Sequence, residues 1–274
     1  MVGSDNMVEK IKEAVILAGG LGKRLRGITG SMPKYFYKVE RYPMIAYPIT
    51  SLTKVGVEKI IIVVNEKFLR KAKRILSKYE NIIKNVEIVY VNNPKPEWGN
   101  GYSLILGSKN VSNDKFFVSM ADHIYSSRIL LKILKEPNNA CIVVGGDSKP
   151  KYVNVDEATK ILAENGVLKD IGKELREFTH VDIGVMVFSK KAISIVSRSG
   201  FPLESLTVSK AILIANSECF VKVADIKGDY WVDIDTPKDL VEILYGKSRP
   251  VLDKVLEEMR GHELLRQKRR RTCI

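Results

Sequence analysis

Apolar residues fall in short, nearly unbroken runs along the first half of the chain, and segments of helical spacing separate them. The runs at 14–18, 59–64, 86–91, 116–120 and 140–144 have the length and Val/Ile content of strands. Strands that are apolar throughout belong to sheets covered on both faces. Between them, 44–54, 67–79, 102–109 and 127–135 repeat apolar positions at steps of three and four, as amphipathic helices do. This alternation predicts βαβ units and a largely parallel sheet. From about residue 146 the pattern shortens. Segments 152–156, 181–188 and 220–224 read as short strands among turns such as Asn165-Gly166. They predict a second part laid at the sheet's carboxyl edge, with 181–188 rejoining the main sheet. Residues 250–266 predict a helix with Leu252, Val255, Leu256 and Met259 on its apolar face, Pro250 in its first turn and a basic end.

Composition narrows the class. The 274 residues are 45% hydrophobic, enough for one large domain or two small ones. No apolar run reaches transmembrane length, and the acids before the first apolar run speak against a signal peptide. None of the three cysteines forms a Cys-x-x-Cys pair, so neither a zinc site nor a disulfide framework is expected. Cys141 and Cys219 lie in apolar runs and read as small core residues, which suits a reducing cytoplasm. The net charge of +13 predicts attraction to polyanions or anionic membrane surfaces. Part of that charge is the tail cluster Arg266, Lys268, Arg269, Arg270 and Arg271. A solvated tail on a packed helix is one reading of the C-terminus. A peripheral tether at the inner face of the membrane, or the junction to a membrane domain, is the other. One glutamine, Gln267, beside many Lys, Ile and Glu leans toward a thermophilic source.

The chemistry concentrates in the loop that follows the first strand, Gly19-Gly20-Leu21-Gly22-Lys23-Arg24, and in Pro33-Lys34 of the next loop. Glycines let the backbone turn tightly and approach a ligand, and their N–H groups can line an anion-binding hollow. Arg24 can grip phosphate oxygens with a fork, whereas Lys34 acts as a point charge. A P-loop would need Ser or Thr after Lys23, and a dinucleotide fingerprint would need a small residue where Leu25 stands. A strand-ending turn with surface cations remains the plainer alternative.

Three further segments carry polar groups suited to a site. Residues 92–103 form a Pro/Gly/Asn-rich loop leading into a helix, with Asn100, Ser103 and the backbone of Gly99 and Gly101 as directional donors and acceptors; a plain loop is the alternative. Asp122 leaves the fourth strand at its carboxyl edge, where a hard cation is held by one or two carboxylates and substrate phosphates. Asp235 is a second candidate, although capping of a helix opened by Thr236-Pro237 would account for it as well. Asp233 alternates with Asp235 and so shares its face if the strand continues. His123, next to Asp122, is expected on the opposite face. Lys173, after Gly172, can meet an anion, and Asp182, before Ile183-Gly184, can accept from a hydroxyl; Lys149 and Lys151 are further cations. All four are also ordinary surface residues.

Leu17-Ala18-Gly19-Gly20-Leu21-Gly22-Lys23-Arg24, followed by Pro33-Lys34, resembles the signature of the sugar-phosphate nucleotidyltransferases. Those enzymes move a nucleoside monophosphate from a triphosphate onto a phosphorylated small molecule. The resemblance covers roughly residues 11–245; the insert 25–31 and the basic tail fall outside it. It implies an α/β, Rossmann-like nucleotide-diphospho-sugar transferase fold, with a mixed, mostly parallel central sheet flanked by helices, a small substrate-binding lobe and a C-terminal helix. The implied domain spans 1–247, with 11–145 for nucleotide and 146–232 for acceptor, followed by a helix and tail at 248–274.

By the same resemblance, Arg24 and Lys34 are catalytic. Leu17, Ala18, Gly19, Gly20, Gly22 and Lys23 bind nucleotide, together with Asn92, Gly99, Asn100, Gly101 and Ser103. Asp122 and Asp235 hold Mg²⁺, and Lys173, Asp182 and Lys149 bind the acceptor. Segment 92–103, with Met120-Ala121-Asp122-His123-Ile124-Tyr125, Asp156-Glu157-Ala158-Thr159-Lys160 and Ile171-Gly172-Lys173, looks like cytidylyltransferases that use myo-inositol-1-phosphate. That likeness implies CTP, a phosphorylated polyol and, in thermophiles, supply of di-myo-inositol phosphate synthesis. It also implies a membrane-embedded phosphotransferase, fused or separate. No nucleic-acid partner is expected, and oligomeric state is left open. A choline-phosphate enzyme would use aromatic faces such as Trp98, Tyr152, Phe178 and Trp231. A hexose-1-phosphate enzyme is a third reading. A non-catalytic sensor would lack the cations and acids that stand at 24, 34, 122 and 235.

Overall fold

The computed structural model describes residues 10–20, 22–83, 86–136 and 139–271, without the side chains of Lys23 and of residues 261–271. The chain opens with β1 (Glu13–Ala18), the single-turn α1 (Arg26–Thr29) and a small ribbon of β2 (Lys38–Val39) and β3 (Tyr42–Pro43). Alternation then follows: α2 (Ala46–Lys54), β4 (Lys59–Asn65), α3 (Leu69–Ser77), β5 (Glu87–Asn93), α4 (Asn100–Ser108) and β6 (Lys115–Met120). Next come β7 (His123–Tyr125), α5 (Ser127–Ile133), β8 (Ile142–Asp147), β9 (Lys160–Glu164), β10 (Val167–Gly172) and β11 (His180–Ser189). The last elements are α6 (Lys190–Arg198), α7 (Val208–Asn216), β12 (Val221–Asp225), β13 (Trp231–Asp233), α8 (Pro237–Tyr245) and α9 (Arg249–Arg271).

Nine strands form one sheet in the order β5-β4-β1-β6-β11-β8-β12-β10-β9. The first four run parallel, β11 enters antiparallel between β6 and β8, and β12 pairs with β8 in parallel. Residues 181–188 thus sit at the centre of the sheet. The β9–β10 hairpin extends the same sheet at its far edge, and β9 also pairs with β11. The segment 146–232 therefore shares one continuous sheet with 11–145. Segment 152–156, expected as a strand, is a turn-rich connection instead. The expectation of a turn-rich second half passes over α6 and α7, although Ser189 and Thr207 cap their N-termini through their side chains.

Two apolar layers sandwich the sheet, and β1 feeds both. Ala14, Ile16 and Ala18 enter one core; Val15 and Leu17 enter the other. Period-two geometry with burial on both sides is why the run reads as unbroken hydrophobicity. Gly107 lets α4 lie against Val15 and Val63, where a Cβ would collide. Leu252, Val255, Leu256 and Met259 of α9 are buried against the body. The Glu258 carboxylate of α9 accepts from the Ser127 backbone N–H at 3.0 Å and from both Ser126 and Ser127 hydroxyls at the start of α5.

Cys141 and Cys219 are joined by a disulfide with Cα atoms 6.1 Å apart, which corrects the expectation of unpaired core thiols. One residue precedes β8 and the other precedes β12, and those strands are parallel neighbours. Their 78-residue separation hides this adjacency from the sequence.

Candidate active site

A cleft of about 280 Å³ opens at the carboxyl ends of β1 and β6. The chain runs outward from β1 to β4 and β5, then returns to place β6 on the other side. Open α/β sheets bind ligands in the crevice left where the strand order reverses. The loop after β1 and the turn after β6 meet there, with Ala121 N–H donating to the Leu17 carbonyl at 3.3 Å.

Glycine is required in this loop for two different reasons. A Cβ on Gly19 would stand 2.7 Å from Ser103 Oγ and 2.8 Å from Asn93 Nδ2. Gly22 has φ +55 beside Lys34, a conformation L side chains rarely adopt. Around Gly20 there is open space. Gly19, Gly20 and Gly22 therefore present backbone to the cleft, and Leu17 lines it from β1.

Four charged side chains converge at the mouth. Arg24 Nη2 lies 2.5 Å from Asp235 Oδ2. Lys34 Nζ lies 2.6 Å from Asp122 Oδ2, also contacts Asp235 Oδ1, and donates to the Ile234 carbonyl at 3.2 Å. Asp122 arrives from the β6–β7 turn and Asp235 from the turn between β13 and α8. Those turns are tied together where Ile234 N–H donates to the Asp122 carbonyl at 3.1 Å. Burial alone would lower the Lys34 pKa, but Asp122 and Asp235 outweigh it and hold the ammonium well above the usual lysine value. Burial alone would raise Asp122, but Lys34 and the His123 hydrogen bond hold its carboxyl far below the usual range.

Asp235 is not the N-cap of α8. That role falls to Thr236, in a capping box with Asp239, and Pro237 opens the helix. The Asp235 carboxylate is thereby left for the cleft. β13 ends at Asp233, so the expected strand alternation does not extend to Asp235.

His123 corrects another expectation. Its Nδ1 is 2.8 Å from Asp122 Oδ1, because Asp122 sits in a turn and not in the strand that would separate them. The imidazole stacks on Trp231 at 6.3 Å, and Trp231 Nε1 donates to the buried Asp147 at 2.7 Å. Gly184, at φ +69, leaves no room for a Cβ against this ring. The ring is thus gripped from three sides while it orients Asp122. Burial tends to lower the His123 pKa, yet the Asp122 contact makes the net shift upward. Burial raises both Asp182 and Asp233 nearby.

The remaining expected residues divide into groups. Asn100 and Ser103 line the cleft. Asn100 Oδ1 accepts from Val208 N–H at 2.8 Å, which leaves its amide nitrogen to donate. Asn92 is exposed, and Asn93 lines the cleft in its place, because adjacent strand residues face opposite ways. Ala18 is buried in the core on the far face. Gly99 and Gly101 serve packing: a Cβ on either would collide with Leu206, whose carbonyl accepts from Gly101 N–H at 3.0 Å. The Lys23 side chain lies outside the described residues. Lys173 lines an adjoining hollow of mixed charge, with Arg24, Lys160 and Arg176 beside Asp156, Glu157 and Glu174. Asp182 accepts from Gly184 N–H at 2.9 Å, beside His123. Lys149 is exposed after β8 and borders neither the cleft nor this hollow. Pro96, Trp98 and Tyr35 line the cleft without having been singled out for the nucleotide; only proximity to the Gly/Asn loop and to Lys34 marked them.

A hard divalent cation fits this donor set. Two carboxylates converge on one point, the Lys34 ammonium, and offer oxygen ligands alone. Among the described residues no group of three or more His, Cys, Asp or Glu forms a self-sufficient metal cage. A site of this kind relies on a substrate's own oxygens to complete coordination.

The glycine loop, two cations and two carboxylates thus meet at the switch point of a mixed, mostly parallel sheet. The chain belongs to the family described as nucleotidyl transferase, whose model matches residues 13–248. Among solved structures, the inositol-1-phosphate CTP transferase from T. maritima aligns with 90% of this chain and 97% of that one, with TM-score 0.80 and 31% identity. The bifunctional IPC transferase and DIPP synthase of Aquifex aeolicus is 35% identical over 230 residues, covering 84% of this chain and 50% of the relative. Its counterpart in Archaeoglobus fulgidus is 32% identical over 233 residues, covering 84% and 43%. The chain thus spans about half the length of the curated relatives it matches. No helix among the described residues is long and apolar enough to cross a membrane.

Proposed function

We propose that this chain transfers CMP from CTP to myo-inositol-1-phosphate, giving CDP-inositol and pyrophosphate. The observation that carries the reading is the meeting of Arg24, Lys34, Asp122 and Asp235 at one cleft. The choice of substrates is supported by the names of the T. maritima structure and the bifunctional relatives. Ser103 and the Asn100 amide offer donors to the base, and Trp98 offers a flat apolar face. Gly19, Gly20 and Gly22 bring backbone close to the phosphates.

The acceptor's phosphate oxygen is ionised near neutral pH, so the reaction needs no general base. That oxygen forms a bond to the α-phosphorus, the bond to the bridging oxygen breaks, and pyrophosphate leaves with the electron pair. Arg24 grips the departing phosphates, and Lys34 neutralises charge on the α-phosphoryl oxygens; both act by position and charge. Asp122 and Asp235 would hold a Mg²⁺, which would supply further neutralisation of the phosphates. His123 orients Asp122 through its 2.8 Å hydrogen bond. Lys173 would meet the acceptor's phosphate from the hollow it shares with Arg24, a reading supported by Lys160 and Arg176 there and opposed by Asp156, Glu157 and Glu174. The bifunctional names of the longer relatives support a phosphotransferase, fused or separate, as consumer of the product.

The test is a pyrophosphate-release matrix crossing CTP, UTP, GTP, ATP and dTTP with inositol-, choline- and hexose-phosphates. CTP with inositol-1-phosphate should exceed every other pair by at least about tenfold, a difference of ~1.4 kcal/mol in transition-state binding. A larger rate with another acceptor would replace the proposed substrate, and no release with any pair would favour a silent binder.

A further inference from the structure

The carboxylates suited to a metal are already in contact with cations of the chain itself. Lys34 Nζ lies 2.6 Å from Asp122 Oδ2 and also touches Asp235 Oδ1; Arg24 Nη2 takes the other Asp235 oxygen at 2.5 Å. The Lys34 side chain is only 13% exposed, and the Ile234 carbonyl anchors its ammonium at 3.2 Å. Each of the two carboxylates is therefore already paired with a cation of the chain. A divalent cation arriving alone would have to displace the largely buried Lys34 or sit against its charge, with the half-exposed Arg24 adding a weaker, screened repulsion. A triphosphate changes this balance. It brings several negative charges into the same cleft, which gives Lys34 and Arg24 new partners and uncovers both carboxylates.

We propose that Lys34, assisted by Arg24, stands in for the divalent cation in the ligand-free chain, so that metal enters with the nucleotide and not before it. The inference rests on the reading of Asp122 and Asp235 as the metal-holding pair, and adds to it an order of events. Lys34 then serves twice: as counter-ion to the carboxylates before binding, and as counter-ion to phosphate afterwards. A cleft that cannot load metal alone avoids trapping a bare cation between acids.

The test is Mn²⁺ binding followed by the electron paramagnetic resonance of the free ion, on the full chain. Without nucleotide, wild type should bind Mn²⁺ at least about tenfold more weakly than Lys34→Met or Lys34→Gln, both checked for native circular dichroism. Adding Asp122→Asn to Lys34→Met should abolish the gain. A variant-free arm uses crystals soaked in Mn²⁺, where anomalous density should appear beside Asp122 only when α,β-methylene-CTP is present. Wild-type affinity equal to that of the Lys34 variants, or anomalous density beside Asp122 without nucleotide, overturns the proposal. The underlying site reading fails differently: Asp122→Asn would then leave Mn²⁺ binding in the presence of the analogue unchanged.

Discussion

Arg24 and Asp122 show how differently two residues of one site are built. The Arg24 side chain is 54% exposed, so its ion pair contributes little to folding. Its value lies in the phosphates it would meet. Arg24→Ala should therefore lower kcat/KM about 100-fold, ~3 kcal/mol of transition-state stabilisation, while the urea midpoint stays near wild type. Asp122→Ala should reduce turnover by orders of magnitude while the chain still folds, as steady-state rates and circular dichroism together would show. Near-normal rates with either would remove that residue from the catalytic set. Glu13 is the opposite case, a buried acid with a purely structural role. Its carboxylate accepts from the Ser112 and Asn113 backbone N–H groups at 2.8 and 2.6 Å and pairs with Lys59 at 3.1 Å. Burial pushes this carboxyl up, but those donors outweigh burial and leave its pKa below 4.5 in the folded state. A folded pKa lowered in this way stabilises the protein above the unfolded value. The contribution is lost as pH falls from about 4.5 through the folded pKa. Glu13→Gln should cost ~1–3 kcal/mol at pH 7 and flatten the acid limb of the stability curve, measured by urea denaturation between pH 3 and 7.

At the scale of elements, the glycines separate into those that serve packing and those that serve ligand approach. Gly99 admits the Leu206 carbonyl, so α4 and the entry to α7 lie in contact. Gly99→Ala should force that segment away and cost ~1–3 kcal/mol, read as a lowered melting temperature. Gly20 faces open space, and Gly20→Ala should leave stability within ~0.5 kcal/mol while raising the KM for nucleotide. A reversed pattern would move the phosphate site away from the loop after β1. Strands β1, β4 and β6 were legible because burial on both faces leaves a continuous apolar signature, whereas β5, a half-buried edge strand, was legible from its Ile/Val content alone. Thr236-Pro237 likewise marked the start of α8, since both residues favour helix N-termini on local grounds. β7 and β13 were not read as paired strands. Each has three residues, and they exist as strands only because they pair with each other.

Across the whole molecule, the Cys141–Cys219 bond closes a loop of 78 residues in sequence separation and clasps the starts of two parallel strands. Cross-linking a loop of that length restricts the unfolded chain by up to ~4 kcal/mol. Reduction, or the double change of Cys141 and Cys219 to Ser, should lower the denaturation free energy by ~2–4 kcal/mol, and unchanged stability in dithiothreitol would discount the clasp. Sequence alone determined the elements whose causes are local. These are the doubly buried strands, the glycine loop with its two cations, and the acids that follow strands. Tertiary structure decided what depends on residues far apart in the chain. It brought Lys34 between acids 88 and 201 positions away, chose Asn93 over Asn92 for the cleft, and turned His123 onto Asp122. It also paired the two cysteines. The physical reason is one of range: side-chain periodicity and backbone propensity act over a few residues, whereas an ion pair, a strand register or a disulfide is set by which ends of the sheet meet.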